Sequence, residues 1–177
     1  IIFLADVVAI IYFFFREICI FLTFNRKKKL RILVYHSLAS ERDVQERNVS
    51  VDLFKQQMAF LRGTKKKIVS LREGIDALEK GNLLQDSIVI TFDDGLVGAY
   101  HEAVRVLEHF HIPATFFIIY QYVDSKREFQ EPNVFTREQF MNWDMVFSLK
   151  EKGFEIGSHS YSHQRLNNLT NAGLDKE

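Results

Sequence analysis

Apolar and polar positions divide the chain into two unequal parts. Residues 1–24, from Ile1 to Phe24, are almost wholly apolar and aromatic, and about 20 such residues are enough to cross a bilayer. Asp6, Arg16 and Glu17 interrupt the run. Arg16 and Glu17 can pair or lie near an interface, whereas Asp6 is costly near a bilayer centre. The pattern predicts a membrane anchor over residues 1–24, with a buried core helix as the alternative. No small-x-small cleavage site follows, so the segment reads as an anchor rather than a removed signal.

Beyond it, short β-branched runs alternate with stretches of helical period. Arg31 to His36 reads as a first strand with His36 at its end, and Ser40 to Val49 as a polar loop. Ser50 is placed to cap a helix from Val51 to Arg62, with Phe54, Met58 and Leu61 on one face. Gly63 stops that helix, and Ile68-Val69 is a short strand. Ser70-x-x-Glu73 is a capping box opening a helix through Leu78, closed by Gly81. Ser87 to Phe92 is a run without polar interruption at its centre, as expected of a strand buried on both faces. Gly98 to His109 carries an apolar stripe of Ala99, Ala103, Val106, Leu107 and, just beyond, Phe110. Ala114 to Tyr120 is the next strand, and Gln121 to Phe135 a long polar loop. Thr136-x-x-Gln139 is a second capping box, predicting a helix to Lys152 with Trp143 in the core. Gly153 ends it, and Phe154 to Ser158 is the last strand. Strand and helix alternate with no hairpin signal, which predicts a parallel α/β sheet of about five strands.

Composition changes this picture little. The chain has 177 residues, 47% hydrophobic, with 23 basic and 23 acidic side chains, so nothing in the charge balance points to nucleic acid. The basic residues are unevenly placed. Arg26, Lys27, Lys28, Lys29 and Arg31 form a basic segment over 25–31 directly after the apolar run. Such a cluster favours the cytoplasmic side of a membrane or binds anionic headgroups. The single cysteine, Cys19, excludes an internal disulfide and reads as apolar filler. The chain opens on Ile rather than Met, so residues upstream are expected.

The candidate chemistry gathers at two strand ends. The strand at 87–92 runs directly into Asp93, Asp94 and Gly95. Adjacent carboxylates are costly unless a cation neutralises one of them. Asp-Asp-Gly is also a common turn sequence. Roughly 65 residues later, the last strand runs into His159-Ser160-Tyr161-Ser162-His163. Histidines four apart can aim both rings at one point, from one helical turn or a tight loop. One acid and two imidazoles make a three-ligand metal site with an open position, a catalytic rather than a structural pattern. His36 reads as a structural histidine or a groove contact, and His101, His109 and His111 as surface or packing residues.

Thr91-Phe92-Asp93-Asp94-Gly95 and His159-Ser160-Tyr161-Ser162-His163 resemble the first two motifs of the polysaccharide deacetylases, carbohydrate esterase family 4, which share the NodB-homology domain. Tyr35-His36 and Pro113-Ala114-Thr115-Phe116-Phe117 extend the resemblance. It implies an incomplete, distorted (β/α) barrel over residues 32–177, truncated at its C-terminal side. It also implies Asp94, His159 and His163 as metal ligands, Asp93 as general base, and Thr91 and Ser160 in supporting positions. Zinc suits two imidazoles and a carboxylate, and other first-row metals compete for such a set. The implied activity is hydrolysis of N-acetyl groups on N-acetylglucosamine-containing polysaccharide, by a domain facing outward in the cell envelope. The alternatives are deacylation of a lipid-linked sugar at the cytoplasmic face and a truncated, non-catalytic glycan-binding remnant. The family's general acid is a histidine in its last motif, and its base is oriented by an arginine. None of His36, His101, His109 or His111 matches those positions, so no proton donor for the leaving amine is expected within the chain.

Overall fold

The computed structural model describes residues 28–39, 48–83, 85–125, 128–129 and 138–177. The predicted anchor over 1–24, Cys19, most of the 40–49 loop and Thr136 lie outside the described residues. Among the described residues no helix is long and apolar enough to cross a membrane.

Five parallel strands form the main sheet. β1 (Leu30–Tyr35) pairs along its whole length with β5 (Ser87–Phe92), from Leu30 opposite Ser87 to Tyr35 opposite Phe92. The other edge of β5 is shared. β4 (Lys67–Ile68) pairs with its first two residues, and β6 (Thr115–Ile118) with its last two. β9 (Glu155–Ser158) lies beyond β6, giving the order β1-β5-β6-β9. Every residue of β5 is buried, as its unbroken apolar run requires of a central strand. β1 takes in Leu30 and Arg31 from the end of the basic segment, and Arg31 is paired with Asp86 at 3.2 Å.

The helices follow their sequence signals closely where side-chain caps define them. α1 (Val51–Gly63) starts at Ser50, whose hydroxyl accepts from the Leu53 N–H, and it buries Phe54, Met58 and Leu61. α2 (Leu71–Glu79) starts at Ser70, which accepts from Glu73 N–H. The carboxylate of Glu73 does not close the box; it pairs with Lys67 instead. A π-helical turn, Ala99–Ala103, leads into α3 (Val104–Phe110), where the sequence predicts one continuous helix.

Four expectations need correction. The helix predicted from Thr136 begins later, as α4 (Trp143–Glu151), because Asn142 is the residue whose side chain accepts the first free N–H, from Met145 at 2.9 Å. Residues 138–139 are strand instead, β8 (Glu138–Gln139), antiparallel to β7 (Glu128–Phe129). This ribbon crosses what the sequence presents as a loop without a hairpin. A second small pair, β2 (Ser37–Ala39) with β3 (Asn48–Ser50), is parallel and brackets the 40–49 loop. Trp143 is half-buried rather than core, its ring meeting those of Tyr120 and Phe147.

The core lies between the sheet and the helices α1, α3 and α4. Its centre is a row of aromatic rings: Tyr35, Phe54, Phe92, Phe116 and Phe154, with neighbouring centroids 4.9–5.7 Å apart. Such pairs add about 0.5–1.5 kcal/mol each beyond area burial. Phe92 is the last residue of β5, so this packing fixes the strand end that carries the acids. At the opposite end of the sheet, Glu155 accepts from Thr115 Oγ1 at 2.8 Å and from the first N–H groups of α2, Leu71 at 3.1 Å and Arg72 at 3.4 Å. Burial pushes the Glu155 carboxyl up, but these donors outweigh it and hold the group below its ordinary value.

Candidate metal centre

Asp93 and Asp94 leave the carboxyl end of β5, where parallel α/β sheets gather their chemistry. The Asp93 N–H continues the sheet by donating to Tyr35 O at 2.8 Å. The chain then turns sharply: Asp94 and Gly95 both have φ 71°. Asp is one of the few side chains that visits this region. Gly95 has a second reason to lack a side chain, since a Cβ there would lie 3.0 Å from Ile118 Cδ1. The turn directs the Asp94 carboxylate inward, leaving it 1% exposed.

His159 leaves the parallel end of β9. Its N–H donates to Ile118 O at 2.9 Å, carrying the β6–β9 ladder one residue further. Only β6 separates β9 from β5. Strands sit about 4.8 Å apart, so the two ends are roughly 10 Å apart and an Asp and a His can meet across the gap. Of the two geometries open to the histidine pair, the loop is the one adopted. Ser160 and His163 have positive φ, 64° and 59°, and the loop closes on itself through His163 N–H to Ser160 Oγ at 2.9 Å.

The result brings three predicted residues together. His159 Nε2 lies 3.3 Å and His163 Nε2 3.5 Å from Asp94 Oδ1, and one ligand atom from each of the three residues lies within 4.8 Å of the others. Asp94 is buried, His159 half-buried and His163 exposed, so the group opens to solvent on the histidine side. Neither Asp94 oxygen has a hydrogen-bond donor; the imidazole approaches are close but not directed hydrogen bonds. A buried carboxylate without donors is rare and costly. With two imidazoles facing the same oxygen, the donor set fits a divalent cation of the zinc type.

The neighbouring charges divide the two acids. Burial pushes the Asp93 carboxyl up, the charge of Asp94 adds to this, and His159, His36 and His163 pull against it; the net displacement is upward. For Asp94 burial also pushes up, but pairing with His159 and the charges of His36, His163 and His159 bring the carboxyl below its ordinary value. Pairing with Asp94 raises the His159 imidazole, against burial. Protons therefore compete with a metal for this site. Without metal, the His159–Asp94 pair stabilises the fold fully below the unfolded histidine value of about 6.5 and is lost as pH rises through the raised folded value. Metal needs the neutral imidazole. Zn2+ affinity should thus rise between about pH 6 and 8 while the metal-free melting temperature falls. Calorimetry with and without Zn2+ reads both; parallel trends would remove His159 from the site.

His36, which the sequence offers as a structural histidine or a groove contact, ends up beside the two acids. It follows Tyr35 at the end of β1, level with Asp93, and its charge acts on both Asp93 and Asp94. His101, His109 and His111 are not part of the cluster; His101 and His109 pack edge-on against Tyr100 and Phe110, and His111 ends α3 at φ 51°.

A sequence profile of the polysaccharide deacetylases matches residues 80–177, the stretch that contains both acids and both histidines. The chain belongs to the polysaccharide deacetylase family. It is 32% identical over 122 residues to the poly-β-1,6-N-acetyl-D-glucosamine N-deacetylase of Staphylococcus epidermidis, covering 69% of this chain and 41% of that protein. With the enzyme of the same name from Staphylococcus aureus it shares 28% identity, covering 83% of this chain and 50% of the relative. This family member thus spans about half the length of those relatives. Among solved structures, IcaB from Ammonifex degensii superposes with a TM-score of 0.65 at 26% identity, over 76% of this chain and 54% of that one. The Streptococcus pyogenes deacetylase PplD, in complex with acetate, shares the fold with a TM-score of 0.67 at 22% identity, over 80% of this chain and 61% of that one. The α/β architecture is therefore that of the NodB-type deacetylase domains.

Proposed function

We propose that this chain carries the metal centre and general base of an N-deacetylase that hydrolyses acetamide groups on N-acetylglucosamine-containing polysaccharide. The observation that carries the reading is the donor-free, buried Asp94 carboxylate facing two imidazoles, with a second acid beside it. The named activity of the staphylococcal relatives supports the substrate class.

Asp94, His159 and His163 would hold a divalent metal, which would supply Lewis-acid activation of a water and of the acetamide carbonyl. Asp93 is placed next to that trio with its carboxyl pushed up, which suits a base that takes the proton as the water oxygen adds to the carbonyl carbon. His36 follows the end of the neighbouring strand, level with Asp93. The C–N bond breaks, and acetate and a free amine leave. Residues 1–24 would hold the domain at a membrane, facing outward if the substrate is an envelope polymer.

Acetate release from β-1,6-linked N-acetylglucosamine oligomers tests the proposal. Release should depend on added Zn2+ and stop with chelator. Oligomer binding without release would favour a glycan-binding remnant. Release from a lipid-linked N-acetyl sugar alone would favour the alternative substrate.

A further inference from the structure

The two histidines of the 159–163 loop turn towards Asp94, while the Ser162 hydroxyl and the N–H groups of Tyr161 and Ser162 meet Glu177. Ser162 N–H donates to Glu177 Oε2 at 3.0 Å, and Ser162 Oγ donates to Glu177 Oε1. Tyr161 N–H donates to the Glu177 main-chain oxygen at 3.1 Å. Ser160 and the Gln164 N–H add to these donors, and together they hold the Glu177 carboxyl below its ordinary value, against a small effect of burial. Backbone turns with left-handed residues, such as Ser160 and His163 here, form concave nests of N–H groups that bind anions. This nest is filled from within the chain. The short helix α5 (Asn171–Leu174), capped by Thr170, delivers Glu177 to it. From the other flank, Tyr122 OH donates to Ser162 O at 3.2 Å, and Gln121 N–H donates to Tyr161 O at 2.9 Å.

We infer that Glu177 is a positioning residue for the metal centre: its carboxylate fills the nest of the 159–163 loop and holds His159 and His163 in the spacing that meets Asp94. The inference rests on the reading of Asp94, His159 and His163 as metal ligands. Its physical basis is that a five-residue loop with two left-handed residues has no ladder of its own to fix it. Without an internal anion, its donors would turn to water and the rings would lose their common aim. Outer partners that orient metal ligands are typically worth 10–100-fold in metal affinity.

The test compares Glu177→Gln, Ser162→Ala and a matched loss of charge nearby, Asp175→Asn, in two measurements. The first is hydrogen exchange of the Ser162 amide in metal-free protein, which needs no metal site. Exchange should quicken at least about tenfold in Glu177→Gln and not in Asp175→Asn. The second is Zn2+ affinity by chelator competition. It should fall about tenfold or more in Glu177→Gln, less in Ser162→Ala, and stay unchanged in Asp175→Asn. Unchanged exchange in Glu177→Gln overturns the clamp. Faster exchange with unchanged Zn2+ affinity overturns its role at the metal centre. If Glu177→Gln lowers the metal-free melting temperature by more than a few degrees, Ser162→Ala decides, and unaltered Zn2+ affinity there overturns the inference. If the unchanged protein binds no Zn2+, the metal reading fails and the positioning role fails with it, while the exchange arm still decides whether Glu177 holds the loop.

Discussion

Asp93→Asn should slow acetate release by about 10²–10⁴-fold, the usual contribution of a positioned general base, while leaving Zn2+ affinity within a few-fold of the unchanged protein. The two halves of this expectation come from the same turn. Asp93 is adjacent in sequence to the buried carboxylate, yet it is not among the three residues whose ligand atoms converge. Its backbone is held to Tyr35 at 2.8 Å, and that bond does not involve the side chain, so an amide of the same shape should leave the turn in place. What the amide cannot do is accept a proton. The loss should therefore fall on kcat and kcat/KM together, and the acid limb of the pH profile should disappear. Full activity in the variant would remove Asp93 as the base. A matching loss of metal would make it a ligand instead.

The neighbours of Asp93 also show which parts of the site can be read along a single chain. β5 was legible because Ser87 to Phe92 has one pattern and one explanation: a strand with both faces covered. The histidine loop was legible because its two histidines lie four residues apart. His36 was not. Its place beside Asp93 comes from the pairing of β1 with β5, between segments more than fifty residues apart, and no local spacing records that register. The start of α4 was misread for a related reason. Thr136-x-x-Gln139 and Asn142 are both good cap signals, and the strand pairing of Glu138 and Gln139 with β7 decides between them. The π-helical turn at Ala99–Ala103 was not legible, since Ala99, Ala103, Val106 and Leu107 of the predicted stripe are all buried with it in place. Glu177 lay beyond any motif; only the fold shows that the N–H and hydroxyl of Ser162 share it as acceptor.

Asp94→Asn should invert the order of stability between metal-free and metal-loaded protein. Outer partners of metal ligands already cost 10–100-fold when lost, so removing the carboxylate ligand itself should cost on the order of 100-fold or more in Zn2+ affinity. Without metal the balance runs the other way. The Asp94 carboxylate is 1% exposed and neither oxygen has a donor. At alkaline pH, above the raised value of His159, that imidazole no longer carries the charge that offsets the carboxylate, and an unsatisfied buried group of this kind costs about 1–3 kcal/mol or more. The neutral amide carries less of that penalty. Asn also tolerates the left-handed backbone at φ 71°, so the exchange adds no strain to the turn. The metal-free variant should then be about 1 kcal/mol more stable than the unchanged protein in urea. Zn2+ at a hundred times the dissociation constant should stabilise only the unchanged protein, by about 2.7 kcal/mol. Had Asp94 been no more than a turn residue, the same substitution would be near neutral in both conditions. A metal-free variant destabilised by more than about 2 kcal/mol, set against the 1–3 kcal/mol penalty expected to be relieved, would mean that the carboxylate holds the turn itself. A site that folds with a buried carboxylate lacking hydrogen-bond donors is poised to gain from a cation, and the sign of this one difference measures how far.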